Sequence, residues 1–316
     1  MSSSVETIKY GSAKDFLADI SYGGNMYKSF NENYIFRGLK SAAYDLIPSI
    51  LRHKLSAEYV GDSKKVMLSG EDIEDSEFIL RIIEYYCLCG FYKTCDENGL
   101  RLPDVDLIRK HLFSKTQDNM QLVIGKDWIP YELIEIFALA QHYGMETRLL
   151  DWTTSIDIAI YFAVHKEPDI TECKKVNEDS QYVAIWALDY SIEKIIHQLK
   201  VVRPSFYGNL NLAAQKGLFT FWDNRIIEIP SHGETLEKYL EQIQKIKIDR
   251  TPLNVLVANE LSRMDYSSVV MYKLMIPRRD KKELWNYLKK KKVSSASLFP
   301  GYAGVVRSFD EDNSFK

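Results

Sequence analysis

The sequence predicts an α+β protein in which strands are scattered between helical blocks. Runs of aromatic and β-branched residues at Tyr182–Leu188 and Val269–Ile276 are typical of strands. The segment Lys281–Lys292 has the amphipathic pattern of a helix. No repeat of fixed period and no low-complexity linker divides the chain, which favours one elaborated domain over residues 1–316.

The composition limits both the compartment and the partners that we expect. Hydrophobic residues make up 46% of the chain, which is enough to bury a large core. The formal net charge of -3 gives no global attraction to nucleic acid or to an anionic membrane. No apolar run approaches the ~20 residues that span a bilayer, and the N-terminus lacks the pattern of a secretory signal. We therefore expect a cytoplasmic protein without a membrane partner.

Two features of the N-terminal half bear on the fold. Tyr34, Ile35 and Phe36 read as a strand that delivers Arg37 and Gly38 to its end, where an arginine is well placed to face a cleft. Residues 61–130 carry polar stretches and apolar residues at spacings of three and four, which predicts a helical insertion.

The most informative stretch lies near the middle of the chain. Tyr131–Tyr143 is strongly apolar and is followed by Gly144, the residue type that most easily closes a helix, so Gln141 and His142 are predicted in its last turn. Polar groups then recur through Thr147–Thr153, with apolar sequence on both sides. These groups are expected in or near the interior.

Several interpretations of these residues stay open. Arg148 and Asp151 either have a structural role, paired with each other or with fixed backbone groups in the interior, or belong to a functional site. His142 is a proton carrier, a ligand contact or a core histidine. Tyr143, Trp152 and Tyr161 either stack on a nucleobase or nicotinamide ring or pack in the core.

The residues that follow predict a helix that packs closely. Thr154–Asp157 resembles a capping box, and the helix is expected to run to about His165. Ala159 and Ala163 share one face of it, and their small side chains permit close approach to a sheet.

Most standard catalytic signatures are absent from the sequence, including the Walker loop, the dinucleotide glycine fingerprint, the Gly-x-Ser-x-Gly elbow and His-Glu-x-x-His. The four cysteines lack Cys-x-x-Cys spacing, so we expect reduced thiols and no metal cofactor. The run of four lysines from Lys289 is interpreted as a solvated helix end, with contact to nucleic acid or lipid as the alternative.

The chain resembles the FRG-domain family, named after the triplet found here as Phe36-Arg37-Gly38. Further family-like blocks follow in one order between residues 34 and 304: Pro48–Arg52, Gln141–Gly144, Thr147–Thr153, Ala159 with Phe162-Ala163, Gln215–Phe219 and Ser297–Pro300. Leu39 departs from the pattern, because family members usually carry Gln there. The resemblance implies a bacterial protein, and it associates the family with antiphage defence or toxin-like effectors.

A weaker resemblance links the same residues to ADP-ribosyltransferases, and it implies a mixed-sheet core of that type. By this comparison Arg37 would grip the pyrophosphate or ribose of NAD, and Thr153, Thr154 and Ser155 would form the second motif. The third motif of those enzymes supplies a glutamate, whereas this chain has Gln215 in that block. Either another acid such as Asp151 serves, or transferase activity is weak or absent.

The resemblances together assign the candidate residues. The catalytic candidates are His142, Asp151 and Gln215, and the candidates for binding NAD are Arg37, Gly38, Gln141, Tyr143, Arg148, Thr153 and Thr154. They imply an effector that binds NAD and either transfers ADP-ribose to a macromolecule or cleaves NAD. The alternative is a non-catalytic module that binds a nucleotide, a nucleic acid or a partner protein, and an unfamiliar hydrolase or nuclease is a third class.

Overall fold

The computed structural model describes residues 4–53, 75–114, 128–165, 178–207, 209–224 and 245–315. The chain divides into two compact units. The first, called the sheet unit, comprises Met1–Leu46, Leu150–Thr220 and Pro252–Lys316. The second, called the helical unit, comprises Ile47–Leu149 and Phe221–Thr251. The expectation of one domain over residues 1–316 stays a prediction.

A seven-stranded mixed sheet organises the sheet unit, in the order β1-β7-β4-β2-β3-β6-β5. β1 pairs with β7 in parallel, whereas the pairs β7–β4, β4–β2, β2–β3 and β3–β6 are antiparallel. The strands are β1 Val5–Lys9, β2 Tyr34–Leu39, β3 Leu150–Thr153, β4 Tyr182–Asp189, β5 Leu199–Val202, β6 Gly217–Trp222 and β7 Met271–Pro277. The predicted α+β class is confirmed.

The α-helices of the described residues are α1 Ala13–Asp19, α2 Asn25–Ser29, α3 Glu77–Glu97, α4 Asp106–Ser114, α5 Ile134–His142, α6 Ile156–Val164, α7 Leu210–Ala214, α8 Leu253–Arg263, α9 Lys281–Lys290, α10 Ser295–Leu298 and α11 Tyr302–Ser314. Of these, α3, α4 and α5 belong to the helical unit. None of the described helices is long and apolar enough to cross a membrane.

The helix α6 packs directly against β2, with its backbone at Ala159 and Ala163 in contact with Gly38. A Cβ atom at Gly38 would lie only 1.8 Å from the carbonyl oxygen of Ala159 and 2.8 Å from the amide nitrogen of Ala163. Glycine is therefore required at this point of β2, because the backbone of α6 occupies the space of a side chain. The predicted close approach of this helix to the sheet is confirmed.

The predicted capping box at the start of α6 is wrong. The N-cap is Ser155, whose side chain makes no capping hydrogen bond. Its backbone N–H instead donates to Oγ1 of Thr153, and the carboxylate of Asp157 accepts from the hydroxyl of Tyr287 on α9. Tertiary partners thus replace the local pairing that the sequence pattern indicated.

The proposed insertion, residues 61–130, lies within the helical unit, and its described part contains α3 and α4. Residues 54–74 and 115–127 lie outside the described residues.

Candidate functional site

The strands β2 and β3 separate just where Arg37 lies. Among the described residues the register joins them at one pair, Phe36 with Thr153. β2 stays paired with β4 from Tyr34 to Leu39, and β3 stays paired with β6 over its whole length. The two halves of the sheet therefore diverge beyond that pair. We call this opening the β2–β3 split.

Arg37 occupies the β2–β3 split. Its Nη1 donates to the backbone carbonyl of Asp151 at 2.7 Å and to the carboxylate of the same residue at 3.2 Å. The guanidinium thus satisfies a carbonyl that has no strand partner on the β2 side. The sequence predicts Arg37 at the end of its strand, but it lies within β2, opposite Trp186 of β4. What ends near Arg37 is the pairing with β3.

The environment of Arg37 is partly open and leaves donor capacity unused. Its side chain is 15% exposed, and that of Asp151 is 52% exposed. Nε of Arg37 is buried and has no hydrogen-bond partner among the described residues. A buried donor without an acceptor is unfavourable, so this guanidinium is suited to receive a further acceptor.

Thr153 and Thr154 hold the turn that leads into β6. The Thr153 hydroxyl donates to the carbonyl of Gln215 at 2.8 Å, and the Thr154 N–H donates to the carbonyl of Lys216 at 3.2 Å. Lys216 has a φ of 48°, a left-handed conformation that is uncommon for a lysine. Gln215 Nε2 donates to the carbonyl of Leu298 on α10 at 3.2 Å. The amide of Gln215 is therefore engaged in holding α10.

Arg148 lies in the helical unit, within a buried cluster of charges. Its guanidinium donates through Nε to Glu84 and through Nη1 to Glu77, at 2.8 Å in each case. Arg81 donates to the same Glu77, and Trp128 donates to Glu84 through its indole N–H. Burial alone would lower the pKa of Arg148, but the two carboxylates outweigh it and raise that pKa further.

The predicted pairing of Arg148 with Asp151 is wrong. Arg148 pairs with two glutamates of α3, and Asp151 pairs with Arg37. The reason is that a fully buried guanidinium needs fully buried carboxylates, whereas Asp151 is half exposed on β3. Glu77, Arg81 and Glu84 recur at helical spacing within an otherwise apolar stretch, and this polar stripe was the signal that could have identified the partners.

Gln141, His142 and Tyr143 surround the end of α5 in the helical unit, as predicted. Gly144 has a φ of 92°, and its N–H donates to the carbonyl of Gln141 at 2.9 Å. The side-chain oxygen of Gln141 accepts from the hydroxyl of Thr147 at 2.7 Å. Tyr143 is 65% exposed, and its ring packs edge-on against His142. Gln141 thus serves to tie the helix end to the next segment.

The structure therefore sorts the predicted site residues into two groups. Arg37, Asp151, Thr153, Thr154 and Gln215 come together in the sheet unit around the β2–β3 split, and we call these five residues the candidate site. Gly38 lies beside them and serves the packing of α6. Gln141, His142, Tyr143 and Arg148 belong to the helical unit, and their participation stays a prediction.

Comparison with known families identifies one region of this chain. The family model described as FRG domain matches residues 93–172. The chain contains an FRG domain. The match includes the blocks Gln141–Gly144 and Thr147–Thr153 and the alanines of α6. The Phe36-Arg37-Gly38 triplet and the blocks after residue 172 lie outside it, so their place in the FRG domain stays a prediction.

No curated protein and no solved structure shows significant similarity to the chain. Within the described ranges there is also no group of three or more His, Cys, Asp or Glu residues that could hold a metal ion.

Proposed function

We propose that the FRG domain of this chain binds NAD in the β2–β3 split, as an ADP-ribosyltransferase-like protein. The observation that carries the proposal is the position of Arg37, which bridges two diverging strands and keeps a buried Nε donor without a partner among the described residues. A pyrophosphate oxygen would satisfy that donor. A guanidinium presents donors in a plane that matches paired phosphate oxygens.

The arrangement of the three motif regions supports the same proposal. Arg37 is on β2, Thr153 and Thr154 are on and after the neighbouring β3, and Gln215 precedes the next strand, β6. Residues that are far apart in the chain thus lie on, or directly next to, three adjacent strands. Exposed Thr154 offers a hydroxyl beside the split for a ribose.

The acid required for transfer is proposed to be Asp151. When the bond between ribose C1′ and the nicotinamide nitrogen breaks, its electron pair leaves with nicotinamide and positive charge develops on the ribose. A carboxylate stabilises that charge better than the neutral amide of Gln215, which donates to Leu298 instead. Water or an acceptor side chain would then bond to C1′ and lose its proton to solvent.

A second candidate function is a module that binds a nucleotide without reaction. Two observations favour this function. The third-motif block carries the neutral Gln215 in place of a carboxylate, and the carboxylate of Asp151 is already engaged in an ion pair with Arg37. A role in antiphage defence rests on the family resemblance alone.

Calorimetry with NAD, together with measurement of released nicotinamide, tests the proposal. We expect the parent protein to bind NAD, and Arg37→Lys to weaken binding about 10- to 100-fold, because a lost charge-assisted contact costs roughly 1.5–3 kcal/mol. Arg278→Ala is the matched control, since this arginine of the sheet unit donates to the Lys40 carbonyl. Both variants are first checked for an unchanged circular dichroism spectrum.

Asp151→Asn separates the two functions. Removing the carboxylate that pairs with Arg37 should leave NAD binding equal or tighter, since the guanidinium loses its competitor. Nicotinamide release should fall sharply if Asp151 is the acid. NAD binding without nicotinamide release, even with a cell lysate as the source of acceptors, would favour the binding module. A parent that binds no NAD would refute the NAD proposal and would favour a module that binds another ligand.

A further inference from the structure

The face of the sheet opposite α6 carries a row of three polar residues on neighbouring strands. Arg37 of β2 is directly opposite Trp186 of β4, and Trp186 is directly opposite Lys273 of β7. Directly opposed residues of antiparallel strands project from the same face, with Cβ atoms about 4.5–5.5 Å apart. The residues that flank Trp186 in β4, Ile185 and Ala187, belong instead to the hydrophobic core that includes α6. We call Arg37, Trp186 and Lys273 the Arg-Trp-Lys row.

Two neighbouring members of this row have buried donors without acceptors. The indole Nε1 of Trp186 is buried and has no hydrogen-bond partner within the described part of the chain, and the same holds for Nε of Arg37. By contrast, the indole N–H of the equally buried Trp285 donates to Asp312 at 3.1 Å. A buried N–H without an acceptor is unfavourable, and native structures rarely keep one. Two such donors on adjacent strands indicate a place for an acceptor that these residues of the protein do not supply.

The two cations of the row favour an anionic acceptor. The ammonium of Lys273 lies 5.8 Å from the ring centroid of Trp186 and donates to the carboxylate of Asp179 at 3.5 Å. The contact between Arg37 and the carboxylate of Asp151 is 3.2 Å long. Charge-assisted hydrogen bonds to carboxylates are normally about 2.7–2.9 Å long. Both carboxylates are also about half exposed, so an incoming phosphate can compete with them for the two cations.

We propose that the Arg-Trp-Lys row binds a diphosphate ester, with one phosphate on Arg37 and the other on Trp186 and Lys273. This deepens the proposed function and rests on it, because the phosphate on Arg37 is taken from there. Two phosphates fit better than one, since the donors are spread over three strands that are about 4.8 Å apart. The side chains of Arg37 and Lys273 are each 15% exposed, so solvent reaches both sides of the buried indole. The ligand class is a nucleoside diphosphate or a dinucleotide joined by a diphosphate.

The indole signal of Trp186 tests this contact directly. The chain has five tryptophans, so a nitrogen-15 spectrum of the labelled full chain contains few indole signals, and Trp186→Phe assigns the relevant one. Titration with ADP should move that signal to lower field, because the N–H gains an acceptor. The signal of Trp285, whose N–H already donates to Asp312, should stay in place. A Trp186 signal that does not move at saturating ADP, or that moves no more than that of Trp285, would overturn the proposal.

Calorimetry with ADP and AMP tests the second phosphate. The parent should bind ADP at least about tenfold more tightly than AMP, and Lys273→Met should remove most of this preference, because one charge-assisted contact is lost. Lys9→Met is the matched control, since Lys9 is also a strand lysine paired with a carboxylate, but it lies over Tyr182, about 13 Å from Trp186 along β4. Thermal unfolding checks that both variants are folded. A preference for ADP that Lys273→Met leaves unchanged would refute the assignment of Lys273.

The outcomes separate this inference from the proposed function. A protein that binds ADP through Trp186 but does not bind NAD would refute the NAD proposal and retain the diphosphate site. NAD binding that leaves the Trp186 signal in place and that tolerates Lys273→Met would refute the diphosphate site and retain the NAD proposal. A parent that binds neither ADP nor NAD would refute both.

Discussion

Gly38 and Arg37 are neighbours in β2 with opposite requirements. Arg37 needs the open space of the β2–β3 split, whereas Gly38 needs the absence of a side chain, because α6 occupies that space. Successive residues of a strand point to opposite faces, so Arg37 points away from the face on which α6 packs against Gly38.

Gly38→Ala should destabilise the protein strongly. The new Cβ atom would meet backbone atoms of Ala159 and Ala163, which cannot move aside as a flexible side chain can. Overpacking of this kind costs about 1–3 kcal/mol or more in the free energy of unfolding. Urea denaturation of the purified variant measures this loss.

The matched control is Gly90→Ala in α3, where a Cβ atom would meet nothing within 4 Å. Alanine in an exposed helix interior should stabilise by roughly 0.5–1 kcal/mol. Equal effects of the two substitutions would contradict the packing of α6 on Gly38.

Arg148→Ala should destabilise the helical unit. It would leave the carboxylates of Glu77 and Glu84 buried without their main cation, at a cost of about 3–5 kcal/mol. Thermal unfolding measures the effect, and Lys93→Ala on the exposed side of α3 should change stability by less than about 0.5 kcal/mol. A melting temperature equal to that of the parent would show that the cluster is not needed for folding.

At the scale of elements, the junction between β3 and β6 depends on one hydroxyl. Thr153 donates to the Gln215 carbonyl and accepts from the Ser155 N–H, so it links a strand, a turn and the start of α6. The strained φ of Lys216 in that turn is maintained by these contacts and by the bond from Thr154.

Thr153→Val keeps the shape of the side chain but removes both hydrogen bonds. We expect a loss of about 1–3 kcal/mol in the free energy of unfolding, because two part-buried hydrogen bonds are lost and each contributes about 0.5–1.5 kcal/mol. Thr154→Val is the control, since Thr154 is exposed and contributes through its backbone. If the two variants were equally stable, the hydroxyl of Thr153 would not contribute to the stability of the junction.

At the scale of the whole molecule, buried tyrosines set the response to alkali. Burial is the main cause that raises the pKa of Tyr85 and of Tyr161 well above the ordinary value of about 10. For Tyr161 the hydrogen bond to Glu311 adds to this effect. Both side chains are almost fully inaccessible to solvent in the fold.

Stability should therefore fall as the pH rises above about 10. Below the unfolded pKa both states keep the phenol protonated, whereas above it only the unfolded state ionises, which favours unfolding by roughly 1.4 kcal/mol per pH unit for each such tyrosine. Guanidinium denaturation between pH 8 and about 11 measures the slope, and Tyr161→Phe should reduce it. A slope that Tyr161→Phe leaves unchanged would contradict the role of that residue.

The sequence alone determined those features that depend on local order. The α+β class, the strands near residues 34, 182 and 271, and the end of α5 at Gly144 all follow from periodicity and from residues that close helices. The close packing of α6 also followed, because its two alanines lie one helical turn apart. The FRG-like blocks of the sequence are enough to single out Arg37, Asp151 and Gln215 as candidate residues.

Only the tertiary structure decided which of these residues meet. Nearness in the chain suggested that Arg148 pairs with Asp151, yet Arg148 pairs with glutamates more than sixty residues away and Asp151 pairs with Arg37. No local sequence pattern predicts the β2–β3 split or the hydrogen bond from Gln215 to the Leu298 carbonyl. The physical reason is that a buried charge takes its partner from whatever the fold brings into the same interior, and folding brings together residues that are distant in sequence.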